Sequence, residues 1–212
     1  MKRLPFNTVL ALSPHTDDIE FGCGGAIARL LEDGAEIHTA VFSLCEESVP
    51  HGYPDDVLLH EMHAAADVLE IPAENRHVYH YPVRRFPSYR QEILENLVQL
   101  KEDIQPDLVL TPSTHDVHQD HETVTDEALR AFRFGTLLGY ELPWNNLSFS
   151  NQAVIALKQA HLDLKVKALT CYESQSFRPY GDPELFTDNA VVRGIQNRQE
   201  LVEVFEVIKL FL

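Results

Sequence analysis

Short apolar runs alternate along the chain with longer segments whose apolar residues recur every three or four positions. Residues 8–13 (TVLALS) are apolar between polar flanks and stop at Pro14, the pattern of a strand buried on both faces. Over 23–33, Ala26, Ile27, Leu30 and Leu31 share a helical face and Gly34 supplies the stop. The same reading predicts a strand at 36–42, a helix at 56–69, a strand at 77–81, a helix at 88–104 with Ser88 as its cap, and a strand at 107–111 (DLVLT). Beyond these it predicts a helix at 122–132, strands at 135–141 and 154–157, and helices at 158–172 and 196–204. Strand and helix in turn specify an α/β fold, a Rossmann-like, mostly parallel sheet with helices on both faces. No repeat divides the 212 residues, so residues 1–212 are expected to form a single domain.

In such sheets ligands bind outside the carboxyl ends of the strands. That rule selects Pro14-His15-Thr16-Asp17-Asp18 after the first strand and His115-Asp116-Val117-His118-Gln119-Asp120-His121 after the strand at 107–111. A catalytic zinc site takes three His, Asp or Glu ligands and leaves one position for water, whose pKa falls to about 7. A further carboxylate must accept the water's proton, and another group must stabilise the oxyanion or assist the leaving amine. His15, Asp17, Asp18, His118, Asp120 and His121 are enough for every role. Either cluster alone reads more readily as a solvated turn or a helix cap than as a site; two of them, each after a buried strand, do not.

Charge and cysteine usage narrow the setting. Lys plus Arg number 17 against 33 Asp plus Glu, a formal net charge of −16, which excludes nucleic acid as a natural partner. Cys23, Cys45 and Cys171 have neither disulfide-framework nor thiolate-zinc spacing. With no signal-peptide pattern and no apolar run long enough to span a bilayer, a cytoplasmic location is expected; a homo-oligomer is left open.

The motifs carry a resemblance. Pro14-His15-Thr16-Asp17-Asp18 with Glu20, Gly22 and Gly24-Gly25, and His118-Gln119-Asp120-His121, resemble the paired motifs of the PIG-L/LmbE-like de-N-acetylase family. Lys165, Ala168, Leu169, Ser174 and Gln175 resemble its C-terminal helix with a Ser-Gln pair, and Arg193-Gly194 with Glu203-Val204-Phe205-Glu206 its terminal pattern. The resemblance implies zinc ligands at His15, Asp18 and His121, with Fe2+ as another admissible ion. It implies a general base at Asp17, oxyanion stabilisation at His118, and at Asp120 a carboxylate that orients a neighbouring histidine. The implied substrate is a small N-acetylated amino sugar or its conjugate.

Departures and bystanders complete the reading. Thr16 and Gln119 stand where the family often has Pro, and His60-Glu61-Met62-His63 where many members have Arg and paired Glu, which places any substrate contact there in doubt. His60 and His63 have metal-capable spacing on a helix but no partner ligands, so a surface role is favoured. Gly22, Gly24 and Gly25 do not complete a dinucleotide fingerprint; close backbone approach is their expected purpose. Arg84, Arg85 and Arg90 read as solvated cations or as a clamp for an anionic group on the substrate. Two other functions stay open: an amidase acting on a non-sugar conjugate, and a non-catalytic nucleotide- or metal-binding module.

Overall fold

In the computed structural model, which describes residues 1–182 and 184–211, the first apolar run forms β1 (Thr8–Ser13), an interior strand of a seven-stranded sheet. The chain continues through α1 (Asp18–Glu32), β2 (Glu36–Val41), α2 (Val57–Val68), β3 (Arg76–Val78), α3 (Arg90–Ile104), β4 (Leu108–Pro112) and α4 (Gln119–Ala131). It ends with β5 (Thr136–Tyr140), β6 (Ala153–Ala156), α5 (Gln159–Leu169), α6 (Glu184–Asn197) and β7 (Val202–Lys209). The strand order is β3-β2-β1-β4-β5-β7-β6, parallel from β3 to β5, with β7 antiparallel to both neighbours.

Period-two alternation in β1 explains the layering. Val9 and Ala11 face a core shared with α1, α2, α5 and α6, while Leu10 and Leu12 face a second core built with Ile93, Leu97 and Leu100 of α3 and Val124 and Ala128 of α4. β2 leaves β1 on one side and β4 lies on the other, so the order reverses between β1 and β4 and a crevice opens at their carboxyl ends.

Three expectations are corrected. The helix expected at 196–204 is instead the end of α6 and the start of β7: α6 stops at Asn197, Arg198 takes φ +55°, and 202–209 pairs with β5 and β6. Val202-Glu203-Val204-Phe205-Glu206 is buried on both faces, so its glutamates lie in the interior and broke the apolar signature of a central strand. The first helix begins at Asp18, five residues before the predicted start, because it runs through a kink at Cys23 (φ −145°) that removes the helical register there. Ser88 lies in a short 3-10 turn, and Tyr89 occupies the cap of α3.

The kink leaves backbone groups that must find partners inside the protein. The Glu203 carboxylate accepts from the Gly25 and Ala26 N–H groups at 3.1 and 2.6 Å, and the Lys165 ammonium donates to the Phe21 carbonyl at 2.7 Å. Lys165 and Glu203 pair at 2.5 Å, both buried. The helix approaches the sheet closely enough that a Cβ at Gly22 would lie on the Tyr140 ring. Among the described residues no helix is long and apolar enough to cross a membrane.

Glu203→Ala would strand a buried ammonium and two N–H groups. Breaking a buried pair in this way typically costs about 3–5 kcal/mol. Denaturant unfolding of Glu203→Ala should show a loss of that order, and the double variant Lys165→Met/Glu203→Ala a loss smaller than the sum of the singles.

Candidate metal centre

β1 and β4 deliver their loops to the same crevice. Pro14 and His15 follow β1, Asp17 is the N-cap residue of α1, and Asp18 opens that helix. Residues 113–118 follow β4, His118 is the N-cap residue of α4, and Asp120 and His121 lie in its first turn. Three side-chain atoms converge: His15 Nδ1 and His121 Nε2 are 3.0 Å apart, and Asp18 Oδ2 is 3.3 Å from each. Donors about 2.1 Å from a tetrahedral ion would be separated by about 3.4 Å, so this triangle has the size of one face of a zinc site.

The outer nitrogens show which lone pairs face inward. His15 Nε2 lies 3.1 Å from Asp120 Oδ2, and His121 Nδ1 lies 2.8 Å from Asp116 Oδ2. Each carboxylate can only accept, so each outer nitrogen carries the proton and each inner nitrogen presents a lone pair. Two such lone pairs and a carboxylate oxygen facing one another repel unless a cation stands between them. Without a metal the cation is a proton: burial opposes it, but the Asp18 and Asp116 carboxylates raise the His121 pKa to about 10. The same imidazoles hold Asp18 well below the usual carboxylate range against its burial.

His118 is also near, its ring lying with those of His15 and His121 so that one nitrogen from each falls within 4.8 Å of the others. Its hydrogen bonding differs. The Asp120 N–H donates to His118 Nδ1 at 3.2 Å, so neutral His118 carries its proton on Nε2. Burial and the two neighbouring imidazoles push its pKa down to about 4, which keeps the ring neutral at pH 7. Asp17 lines the same cavity without capping the helix. Burial and the adjacent Asp18 push its pKa up to about 6. A neutral N–H donor and a carboxylate that titrates near neutrality therefore flank the three converging atoms.

Residues beyond the two motifs hold this geometry. Asp120, buried, accepts from the Arg84 N–H at 2.5 Å and the Phe86 N–H at 3.1 Å, fixing the 82–86 segment to the site. Asp116 also accepts from the His118 N–H at 2.9 Å. Glu206 of β7 accepts from Ser113 Oγ and from the Thr114 N–H and Oγ1, tying down the turn after β4. Asp116 escaped the sequence reading although it stands five residues before His121 in the quoted loop; a carboxylate on an imidazole leaves no periodic signal.

A cavity of about 300 Å³ opens over the centre, lined by His15, Asp17, Asp18, His118 and His121 together with Trp144, Gln175, Arg178 and Tyr180. Of the predicted arginine cluster only Arg84 lines it. Arg85 is exposed away from the cavity, and Arg90 is bound to Glu127 at 2.7 Å. The guanidinium of Arg178 was not anticipated, because the chain beyond residue 172 has no strong periodicity. His60 is largely exposed and contacts Asp56, whereas Glu61 accepts from the Ser174 N–H and Oγ at 2.8 and 2.6 Å.

The family described as PIG-L: GlcNAc-PI de-N-acetylase matches residues 10–132, more than half of the chain and both loops of the site. The chain belongs to the PIG-L family. A curated relative from Escherichia coli (strain K12), named "Uncharacterized deacetylase YaiS", is 28% identical over 175 residues, covering 78% of this PIG-L chain and 90% of the relative. Among solved structures, the N,N'-diacetylchitobiose deacetylase from Pyrococcus horikoshii superposes with TM-score 0.78 at 20% identity, covering 96% of this chain and 84% of that one. GalB, the 4-carboxy-2-hydroxymuconate hydratase from Pseudomonas putida KT2440, superposes with TM-score 0.79 at 20% identity, covering 97% and 98%. At these identities the structural likenesses establish the fold.

The electrostatics of the centre predict proton-linked metal binding. His121 retains its proton up to about pH 10 in the metal-free protein, so an ion taking its Nε2 at pH 8 must displace it. Calorimetric titration with Zn2+ in two buffers of different ionisation enthalpy should register release of about one proton per ion. Asp116→Ala, which frees the outer nitrogen of His121, should weaken Zn2+ binding by about 10–100-fold.

Proposed function

We propose that this PIG-L protein is a zinc-dependent hydrolase that removes an N-acetyl group from an amino sugar or its conjugate. One observation carries the reading: three inward-facing donors, His15 Nδ1, Asp18 Oδ2 and His121 Nε2, lie 3.0–3.3 Å apart beneath a cavity that also presents Asp17 and His118. Two imidazoles and one carboxylate form a donor set that suits zinc, with Fe2+ the other ion such ligands accept. An ion held there would act as a Lewis acid toward water and the acyl oxygen.

The protein groups supply the proton traffic. Asp17, ionised above its pKa of about 6, accepts a proton from the attacking water as the new C–O bond forms. His118 donates its Nε2–H to the oxygen that gains negative charge; because the ring is already neutral, it stabilises that charge without transferring its proton. Asp17 then returns the proton to the sugar nitrogen as the C–N bond breaks, and acetate and the free amine leave. His118 is better suited to this donor role than to ligation, since Nδ1 is occupied as an acceptor and ligation through Nε2 would require an imidazolate. Asp120 acts through His15, whose outer nitrogen it holds.

The cavity volume is at the lower end of the range for small-ligand sites, about 300–1,000 Å³, which suits one sugar unit rather than a polymer segment.

The test is acetate release from N-acetylglucosamine and its conjugates by zinc-loaded protein. Asp17→Asn should keep one equivalent of zinc and lose about 10²–10⁴-fold in kcat, whereas His121→Ala should lose zinc and activity together. Stoichiometric zinc with acetate released only from non-sugar amides would favour the conjugate amidase. Near-normal turnover in Asp17→Asn would remove the assigned base.

A further inference from the structure

Resting on the amino-sugar reading above, we infer that Arg178 is a specificity-determining residue that binds an anionic group, a phosphate or a carboxylate, carried by the substrate. Arg178 lines the cavity over the three converging donors. Three arginines that reach into this acidic protein are each matched by a carboxylate, Arg29 by Asp33, Arg76 by Asp67 and Arg193 by Glu141, and the more exposed Arg90 is paired with Glu127. Arg178 has no carboxylate within 4 Å among the described residues, although its charge reaches Asp17 of the same cavity; its side chain donates from Nε to Gln175 Oε1 at 2.9 Å and packs its guanidinium over Phe177 and Tyr180, 5.2 and 5.9 Å from the ring centroids. Among the described residues this guanidinium stands on the cavity wall without an ion pair, where an anion carried by a ligand could take that place.

The guanidinium is also built in place. Glu61 of α2, buried, accepts from the Ser174 N–H and Oγ; Gln175 donates from Nε2 to Ser174 Oγ at 3.0 Å and accepts from Arg178 Nε at 2.9 Å. This relay crosses from α2 to the turn after α5 and fixes Nε, so that Arg178 offers its terminal nitrogens, with the Tyr180 hydroxyl beside them, in the planar geometry that matches a carboxylate or phosphate. Fixing the side chain beforehand lowers the entropy lost when the anion binds. Arg84, also on the wall, adds positive charge and lies 3.9 Å from the Glu47 carboxylate. Trp144 and Tyr180, stacked with centroids 4.3 Å apart, give the same wall a broad aromatic surface beside the charge.

Zinc-loaded protein is assayed for acetate release from N-acetylglucosamine, N-acetylglucosamine 1-phosphate and N-acetylmuramic acid, the last two carrying a phosphate and a carboxylate respectively. Wild type should prefer at least one anionic probe by 10-fold or more in kcat/KM, chiefly through KM, and the preferred probe identifies the anion. Arg178→Gln should cut that ratio at least 10-fold, and Arg178→Lys should restore part of it. A wild-type ratio near one, or a ratio unmoved in Arg178→Gln, overturns the assignment. So does an equal loss on all three probes with a shifted pH profile, which would mean that Arg178 acts through the charge of Asp17. If no probe releases acetate, the deacetylase reading fails by itself. Calorimetric binding of N-acetylglucosamine 1-phosphate against N-acetylglucosamine, in wild type and Arg178→Gln, then decides the role of Arg178 by the same 10-fold criterion.

Discussion

The centre depends on two loops from neighbouring parallel strands being held in fixed register while the backbone groups at their ends stay satisfied. Parallel strands place both loops at one edge, but they do not set the last ångström between His15 and His121. That task falls to β7, which presents two glutamates three residues apart and so on opposite faces of the strand. Glu203 reaches the kinked helix behind the first motif, and Glu206 reaches the turn after β4 that leads to the second. Ionised carboxylates accepting several N–H and O–H donors are strong tethers, and burial makes them costly to leave unmade. One antiparallel strand thereby couples Gly25 and Ala26 to Ser113 and Thr114, segments distant in sequence.

The same logic operates one layer closer in. Asp120 and Asp116 each hold the outer nitrogen of one imidazole and also accept from backbone N–H groups, so ring orientation and loop conformation are set by the same atoms. The arrangement concentrates negative charge around two histidines, which is unfavourable without a compensating cation. Folding energy is therefore stored against a cation, whether the proton on His121 or a metal. Electrostatics, rather than the arrangement of ligand names along the chain, distinguishes His118 from the converging donors. At His118 burial and the two neighbouring imidazoles outweigh the Asp120 and Asp18 carboxylates, so its pKa moves down where that of His121 moves up.

Much of this was legible from residues alone. The buried strands at 8–13 and 107–111 and the rule for sheet edges located both loops, and the PHTDD and HQDH segments identified the residues brought together there. What was not legible has a common cause: a polar side chain whose partner is distant in sequence. Glu203 and Glu206 made β7 look helical because a buried strand with two charges has neither alternation nor an unbroken apolar run. Asp116 had no periodic position, and the arginines at 84, 85 and 90 were grouped by adjacency, although Arg84 turns to the cavity through a φ of +67° while Arg90 is held by Glu127 of α4.

The division of labour between elements also bears on how one scaffold can host different substrates. The converging donors come from the ends of β1 and β4 and the first turns of α1 and α4, all anchored in the two cores. The cavity wall comes from elsewhere: Trp144 and Asn145 from the connection between β5 and β6, and Gln175, Arg178 and Tyr180 from the turn between α5 and α6. Asn145 is coupled to the centre, donating from Nδ2 to Asp116 Oδ2 at 3.3 Å, whereas Arg178 and Tyr180 bond none of the three donors among the described residues and can change without moving them. A hydratase with the same fold at 20% identity is consistent with that separation, since the fold alone does not select a reaction. Chemistry is thus set by the rigid sheet edge and selectivity by the connections above it. The buried Glu61–Ser174 contact is where the two meet, because it ties the variable turn to a helix of the central core.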